Sequence, residues 1–148
     1  MFNNYKIKKI IKNQDLYKVV EYLKKGFKWS EIYSNRLISS LEKEFDKLGF
    51  YGFYVIDDCN NIIASILTLY QGSLALGDKK YLVVNLSSWY VSESHRGYKS
   101  IMMLKYITNQ LSDYIITDIS PNKSAESILK VLGYNKLATS SFNLYFLK

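Results

Sequence analysis

The sequence predicts an α/β domain, a single mixed sheet with helices on both faces. Three observations carry that prediction. Apolar residues recur at helical spacing up to Leu48 and switch to strand-like runs from Phe50 onward. Two such runs, YGFYVID and IIASILTLYQ, flank Asp58-Cys59-Asn60-Asn61, which has the composition of a hairpin turn. Farther along, YLVVNLSSWYV, IMMLKYITNQL and DYIITDIS read in succession as strand, helix and strand.

Near the N-terminus, YKIKKII alternates polar and apolar residues, as a short strand with one wet face does. Asp15 is placed to cap a helix over 16–25, with Leu16, Val19, Val20 and Leu23 on one face and Gly26 as its stop. Ser30 caps a second helix whose apolar positions are Ile32, Leu37, Ile38, Leu41 and Phe45; it runs to about Leu48 and stops at Gly49. After the hairpin, Gly72 and Gly77 with Asp78-Lys79-Lys80 form a connection into a strand at 81–91. A helix at 100–111 and a buried strand at 113–119 follow. Ser120-Pro121-Asn122 breaks that strand, because proline donates nothing to a ladder and restricts the residue before it. A short helix at 123–132 closes at Gly133, and the alternating tail NKLATSSFNLYFLK reads as one long strand or a bent pair. The order is β, α, α, β, β, β, α, β, α, β. No internal repeat or linker divides it, so residues 1–148 are expected to form one domain.

Composition narrows the function classes. The 148 residues are 48% hydrophobic and 22% charged, which is globular rather than disordered. The net charge of +7 comes from Lys rather than Arg: Arg36 and Arg96 are the only arginines among twenty basic residues. Readers of nucleic acid lean on arginine for bidentate contacts, so a nucleic-acid partner is not expected, although eight lysines crowd the first 28 residues. Cys59 is the single cysteine, which rules out an internal disulfide. The start lacks the apolar core of a signal peptide, and no apolar run reaches the length of a membrane span. The expectation is a cytoplasmic protein with no membrane partner and no metal.

Chemistry concentrates between Tyr81 and Leu111. The apolar strand feeds the helix through the polar loop Ser92-Glu93-Ser94-His95-Arg96-Gly97-Tyr98-Lys99-Ser100. A loop of this kind points several backbone N–H groups into one concavity, and the helix dipole adds partial positive charge there. The junction therefore suits a phosphate or pyrophosphate.

The element order and this stretch resemble the GNAT superfamily of coenzyme-A-dependent N-acyltransferases. In that family a strand ending in a small apolar residue is followed five residues later by Arg or Gln, opening the pattern R/Q-x-x-G-x-G/A. Here Val91 is followed by Arg96, and the loop reads Arg96-Gly97-Tyr98-Lys99-Ser100-Ile101, with Lys99 and Ile101 where the family has glycines. A second family pattern, N-x-x-A-x-x-L-Y-x-x-L-G-F, is matched by Asn122, Ala125, Leu132 and Gly133, with Tyr134 in place of Phe. The family's frequent Tyr, the usual proton donor to the departing thiolate, falls at Leu129.

The resemblance implies a mixed, mostly antiparallel sheet in which strand 81–91 splays from strand 113–119 in a V, with acetyl-CoA or another acyl-CoA held between them. Backbone groups of Trp89, Tyr90 and Val91 would pair with the cofactor's amide arm and polarise its thioester. Arg96, Gly97, Tyr98, Lys99, Ser100 and Ile101 would hold the pyrophosphate. Asn122 would lie beside the pantetheine arm, a place equally explained by a plain helix cap. Strand 81–91 carries no acid, so Asn85 and Ser88 are the candidates for ordering a water relay, with packed strand polar groups as the alternative. His95 is expected at the surface or beside the phosphates. Phe27, Trp29 and Tyr33, with Trp89, Tyr90 and Tyr70 facing them from the sheet, are candidate walls for a small-molecule amine such as an amino sugar. Trp29 and Tyr33 have the alternative of simply packing a helix onto the sheet.

The implied activity is N-acyl transfer, most simply N-acetyl transfer, to such an amine. Two other readings stand beside it: an acceptor amine on a protein or a tRNA, and a silent member of the fold that binds coenzyme A or a partner. A homodimer is compatible with any of them.

Overall fold

The computed structural model describes residues 5–119 and 121–135. In chain order its elements are β1 (Lys6–Ile10), α1 (Asn13–Phe27), α2 (Glu31–Leu48), β2 (Gly52–Ile56), β3 (Ile62–Leu76), β4 (Lys79–Val91), a 3₁₀ turn (Glu93–His95), α3 (Tyr98–Gln110), β5 (Tyr114–Thr117) and α4 (Lys123–Val131). The expected order holds through α4. The strand expected in the tail lies, beyond Asn135, outside the described residues.

The five strands lie in the order in which they occur in the chain. Every neighbouring pair is antiparallel except β4 and β5, which are parallel. A parallel pair needs a crossover, and α3 supplies it. The sheet separates two cores. On one face Phe53, Val55, Ile66, Val84 and Leu86 pack against Met103, Leu104 and Ile107 of α3 and Leu129 of α4. On the other, Ile10, Tyr54, Ile56 and Leu67 pack against Leu16, Val19, Val20 and Leu23 of α1 and Leu41 of α2. The helical spacing of these residues in the sequence is what puts them on one side.

Helix boundaries follow local chemistry, with two departures from expectation. Ser30 caps α2 as expected, its Oγ accepting from the Tyr33 N–H at 3.2 Å, and Gly49 closes it at φ +73°. Asp15 is not the cap of α1: Lys12 occupies that position without a side-chain bond, and Asp15 sits in the first turn, where its charge suits the helix dipole. Gly26 does not stop α1 either. The helix runs through it to Phe27, and Lys28 takes the left-handed closing position at φ +56°. The reason for glycine at 26 is proximity, since a Cβ there would lie 2.5–2.7 Å from ring atoms of Tyr90 on β4.

The two hairpins also differ. Between β2 and β3, Asp57 Oδ1 accepts from the N–H groups of Cys59 (2.9 Å) and Asn61 (2.8 Å), while Asn60 takes φ +63°. These bonds, led by the one from the Asn61 side chain, hold the Asp57 carboxyl below its usual range. The connection between β3 and β4 is shorter than its glycines suggest, because Gly72 lies within β3. Gln71 and Gly72 together oppose Val83 in a bulge, so the strand continues to Leu76 and the turn narrows to Gly77-Asp78.

The Gly26–Tyr90 contact gives the first prediction. Gly26→Ala adds a good helix former yet crowds a packed ring, and stability is expected to fall by about 1–3 kcal/mol. Urea unfolding checks this; a gain in stability would mean that the ring yields freely.

Candidate functional site

The β4–β5 ladder runs from Leu82 opposite Tyr114 to Asn85 opposite Thr117, and there it ends. β4 continues to Val91 paired with β3 alone. Two features drive the strands apart. The Asn85 side chain, 8% exposed, accepts from the Ile119 N–H at 3.0 Å and from Thr117 Oγ1 at 3.4 Å, so it takes up the chain leaving β5 in place of a ladder bond. Beyond it, Ser88 and Trp89 together oppose Ile66, a bulge in which Ser88 adopts φ +53°. An extra residue of this kind bends the strand and increases its twist.

The parting opens a cleft of about 920 Å³. β4 lines it from Asn85 to Val91, and Gly26 and Phe27 line it from α1. The start of α3 contributes Gly97, Tyr98, Ser100 and Ile101, and the segment after β5 contributes Asp118, Pro121, Asn122, Ser124, Ala125 and Ile128. The α3 terminus is built for a close ligand. Gly97 sits at φ +101°, ψ −142°, backbone that side chains avoid, and the space where its Cβ would be is empty to 4 Å. The first helical bonds come from Ser100 and Ile101 to the Gly97 carbonyl, at 3.0 and 3.4 Å, so the amides of Tyr98 and Lys99 precede the intrahelical ladder. Across the cleft, Asn122 caps α4 by accepting from the Ala125 N–H at 2.8 Å.

Nine of the ten residues expected to hold the cofactor meet on this cleft: Trp89, Tyr90, Val91, Arg96, Gly97, Tyr98, Ser100, Ile101 and Asn122. Lys99 stands apart. Its Nζ donates to the Tyr5 hydroxyl at 2.8 Å and lies 4.8 Å from the Tyr5 ring centre, on the side of the loop away from the cleft. Arg96 Nε donates to the Val91 carbonyl at 3.1 Å, and its guanidinium lies 5.8 Å from the Tyr90 ring centre. Its ion pair with Glu93, 3.9 Å apart and exposed on both sides, adds little. His95 turns away as well, bonding Ser94 Oγ at 2.9 Å and packing edge-on against Tyr5.

Both relay candidates, Asn85 and Ser88, lie on the cleft, with Ser88 Oγ 3.3 Å from Ser87 Oγ. Asn85 is occupied by the chain leaving β5. Among the substrate-wall candidates Phe27, Trp89 and Tyr90 touch the cleft directly, whereas Trp29 and Tyr33 reach it only through Phe27. The Phe27 ring stacks on Trp29 at 5.1 Å and meets Tyr90 edge-on at 5.1 Å, and Trp29 packs on Tyr33 at 4.8 Å. The rings thus form one file from the exposed Tyr33 inward to Tyr90 and Tyr22. Burial raises the Tyr22 hydroxyl pKa, and its oxygen is 2.9 Å from Ser92 Oγ. Tyr70 lies on β3 opposite Val84 and does not line the cleft. Sequence reasoning missed Asp118, whose signal was its place between a buried strand and the Asn122 helix cap. Among the described residues no cluster of His, Cys, Asp and Glu has the makings of a metal site, and no helix is long and apolar enough to cross a membrane.

No protein-family model matches the sequence, and no curated protein matches it. Solved structures do match. A predicted acetyltransferase from Clostridium acetobutylicum, determined with acetyl-CoA, superposes with a TM-score of 0.72 at 15% identity, covering 96% of this chain and 95% of its own. AAC(6')-Iy, in complex with a bisubstrate analog, CoA-S-monomethyl-acetylneamine, gives 0.68 at 14% identity, covering 98% of this chain and 100% of its own. Glucosamine-6-phosphate N-acetyltransferase from Arabidopsis thaliana gives 0.66 at 11% identity, covering 97% of this chain and 99% of its own. At such identities the likeness is one of fold.

Asn122 generates the second prediction. Asn122→Ala removes the α4 cap and is expected to lower stability by about 1 kcal/mol, while Asn122→Asp keeps it. Thermal unfolding of the pair separates the cap from any loss in ligand binding.

Proposed function

From the GNAT fold that the chain shares with these acetyltransferases, we propose that residues 1–148 form an N-acyltransferase domain that moves an acetyl group from acetyl-CoA to a small-molecule amine. The observation that carries this reading is the cleft where β4 leaves β5, closed at one end by the first turn of α3 with Gly97 in glycine-only backbone. Free amides and a helix dipole at that end suit the pyrophosphate of coenzyme A. The unpaired edge of β4 beyond Asn85 suits the extended amide arm, which would bond there as a strand does. A backbone N–H on the same edge would polarise the thioester carbonyl.

The acceptor side follows from the aromatic file. Phe27 and Tyr90 offer flat apolar surface at the cleft, continued outward by Trp29 and Tyr33. Such surface stacks on the apolar face of a ring, which favours an acceptor amine carried on a sugar or an aromatic ring over a linear polyamine. A second reading, a protein that binds coenzyme A without transferring from it, draws on Leu129, which stands where the family's proton donor does.

Isothermal calorimetry tests the reading. The protein is expected to bind acetyl-CoA, and Arg96→Ala to weaken that binding about tenfold or more through the loss of charge-assisted hydrogen bonds. Absence of acetyl-CoA binding to the unaltered protein overturns both readings. With binding established, Phe27→Ala is expected to raise KM for a ring-bearing amine severalfold, with kcat less affected.

A further inference from the structure

Acyl transfer to an amine needs a proton removed from nitrogen and a proton delivered to sulfur. The expected donor position holds Leu129, β4 brings no acid, and His95 faces Tyr5 rather than the cleft. Among the described residues lining the cleft, one carboxylate is present, that of Asp118. It sits one residue beyond the last ladder pair, Asn85 opposite Thr117, at the neck of the parting. Its neighbours on both sides are tied to β4: the Ile119 N–H donates to Asn85 Oδ1 at 3.0 Å, and Thr117 Oγ1 is within bonding distance of the Val84 carbonyl (3.3 Å) and of Asn85 Oδ1 (3.4 Å). The backbone that carries Asp118 is thereby anchored at the cleft wall, where proton transfer would need a carboxylate to stand.

We propose that Asp118 carries the proton from the acceptor nitrogen to the departing sulfur, so that one side chain does the work of separate base and acid. The inference rests on the acyltransferase reading. The amine enters in its neutral form. As its lone pair forms the C–N bond, the nitrogen becomes positively charged and its N–H far more acidic than that of a free ammonium, so that the Asp118 carboxylate can take its proton. The C–S bond breaks with its electron pair going to sulfur. A thiolate is in general more basic than a carboxylate, so the proton passes from the Asp118 carboxyl to sulfur downhill. The products are the N-acyl amine and the free thiol, Asp118 returns to its starting charge, and no other reactant is consumed.

The experiment compares Asp118→Asn and Asp118→Glu with the unaltered protein. Acetyl transfer to 2-phenylethylamine and to D-glucosamine is followed by thiol release, and calorimetry gives the affinities for acetyl-CoA and coenzyme A. Asp118→Asn is expected to keep acetyl-CoA affinity within about twofold while kcat falls about 100-fold, with part of the rate restored in Asp118→Glu. A readout independent of turnover comes from the thiol itself. Between pH 7 and 9.5 coenzyme A becomes a thiolate, which the Asp118 charge repels, so the unaltered protein is expected to lose affinity severalfold more than Asp118→Asn does. Acetyl-CoA, lacking the thiol, controls for Tyr90, Tyr98 and Arg96, the other titratable groups on the cleft. An Asp118→Asn enzyme with kcat within twofold of the original, or the same pH loss in both proteins, overturns the proposal while leaving the acyltransferase reading in place. Absence of acetyl-CoA binding to the unaltered protein overturns both.

Discussion

The parallel ladder between β4 and β5 ends at Asn85, and a buried amide is what ends it. Its oxygen takes two donors from the chain leaving β5, the Thr117 hydroxyl and the Ile119 N–H. That backbone would otherwise continue alongside Leu86 and Ser87. The bulge at Ser88 and Trp89 then bends β4. A sheet that remained paired to Val91 would have a filled interior here and no cleft. The two cores on either side of the sheet hold its remaining strands in place, so that the opening is local to this one junction.

The cleft is also braced from the helical side. Tyr90 fits over Gly26 of α1, meets Phe27 and Tyr22 edge-on, and has the Arg96 guanidinium near its ring. One aromatic ring thus ties the strand that opens the cleft, the helix that walls it and the residue that begins the loop into α3. The aromatic excess of the composition is explained here in part, since five of these rings stack in one continuous file.

Much of this was legible in the sequence because periodicity reports which side of an element is buried. The positions of all ten described elements followed from it to within a few residues, apart from the 3₁₀ turn, too short to have a period, and the reach of β3. The errors came from residues that serve two ends. Gly26 looked like a helix stop because glycine has that use, whereas its cause is a ring some sixty residues away in the chain. Gly72 looked like a loop residue because a bulge and a turn ask for the same backbone freedom. The loop that opens α3 was legible from Val91 and Arg96, but the direction in which Lys99 points depends on Tyr5, near the other end of the chain. Asp118 was not legible, because its place on the cleft depends on β5 ending where it does.

The engagement of Lys99 with Tyr5 has a consequence for how an anion would be held. A flexible ammonium group at a helix mouth attracts phosphates from many directions and must be ordered each time one arrives. Here that group is already engaged with an aromatic hydroxyl behind the loop, and the loop presents to the cleft its main chain together with the Arg96 side chain, itself bonded to the Val91 carbonyl. Groups held in place before a ligand arrives read the spacing of its phosphates as well as their charge.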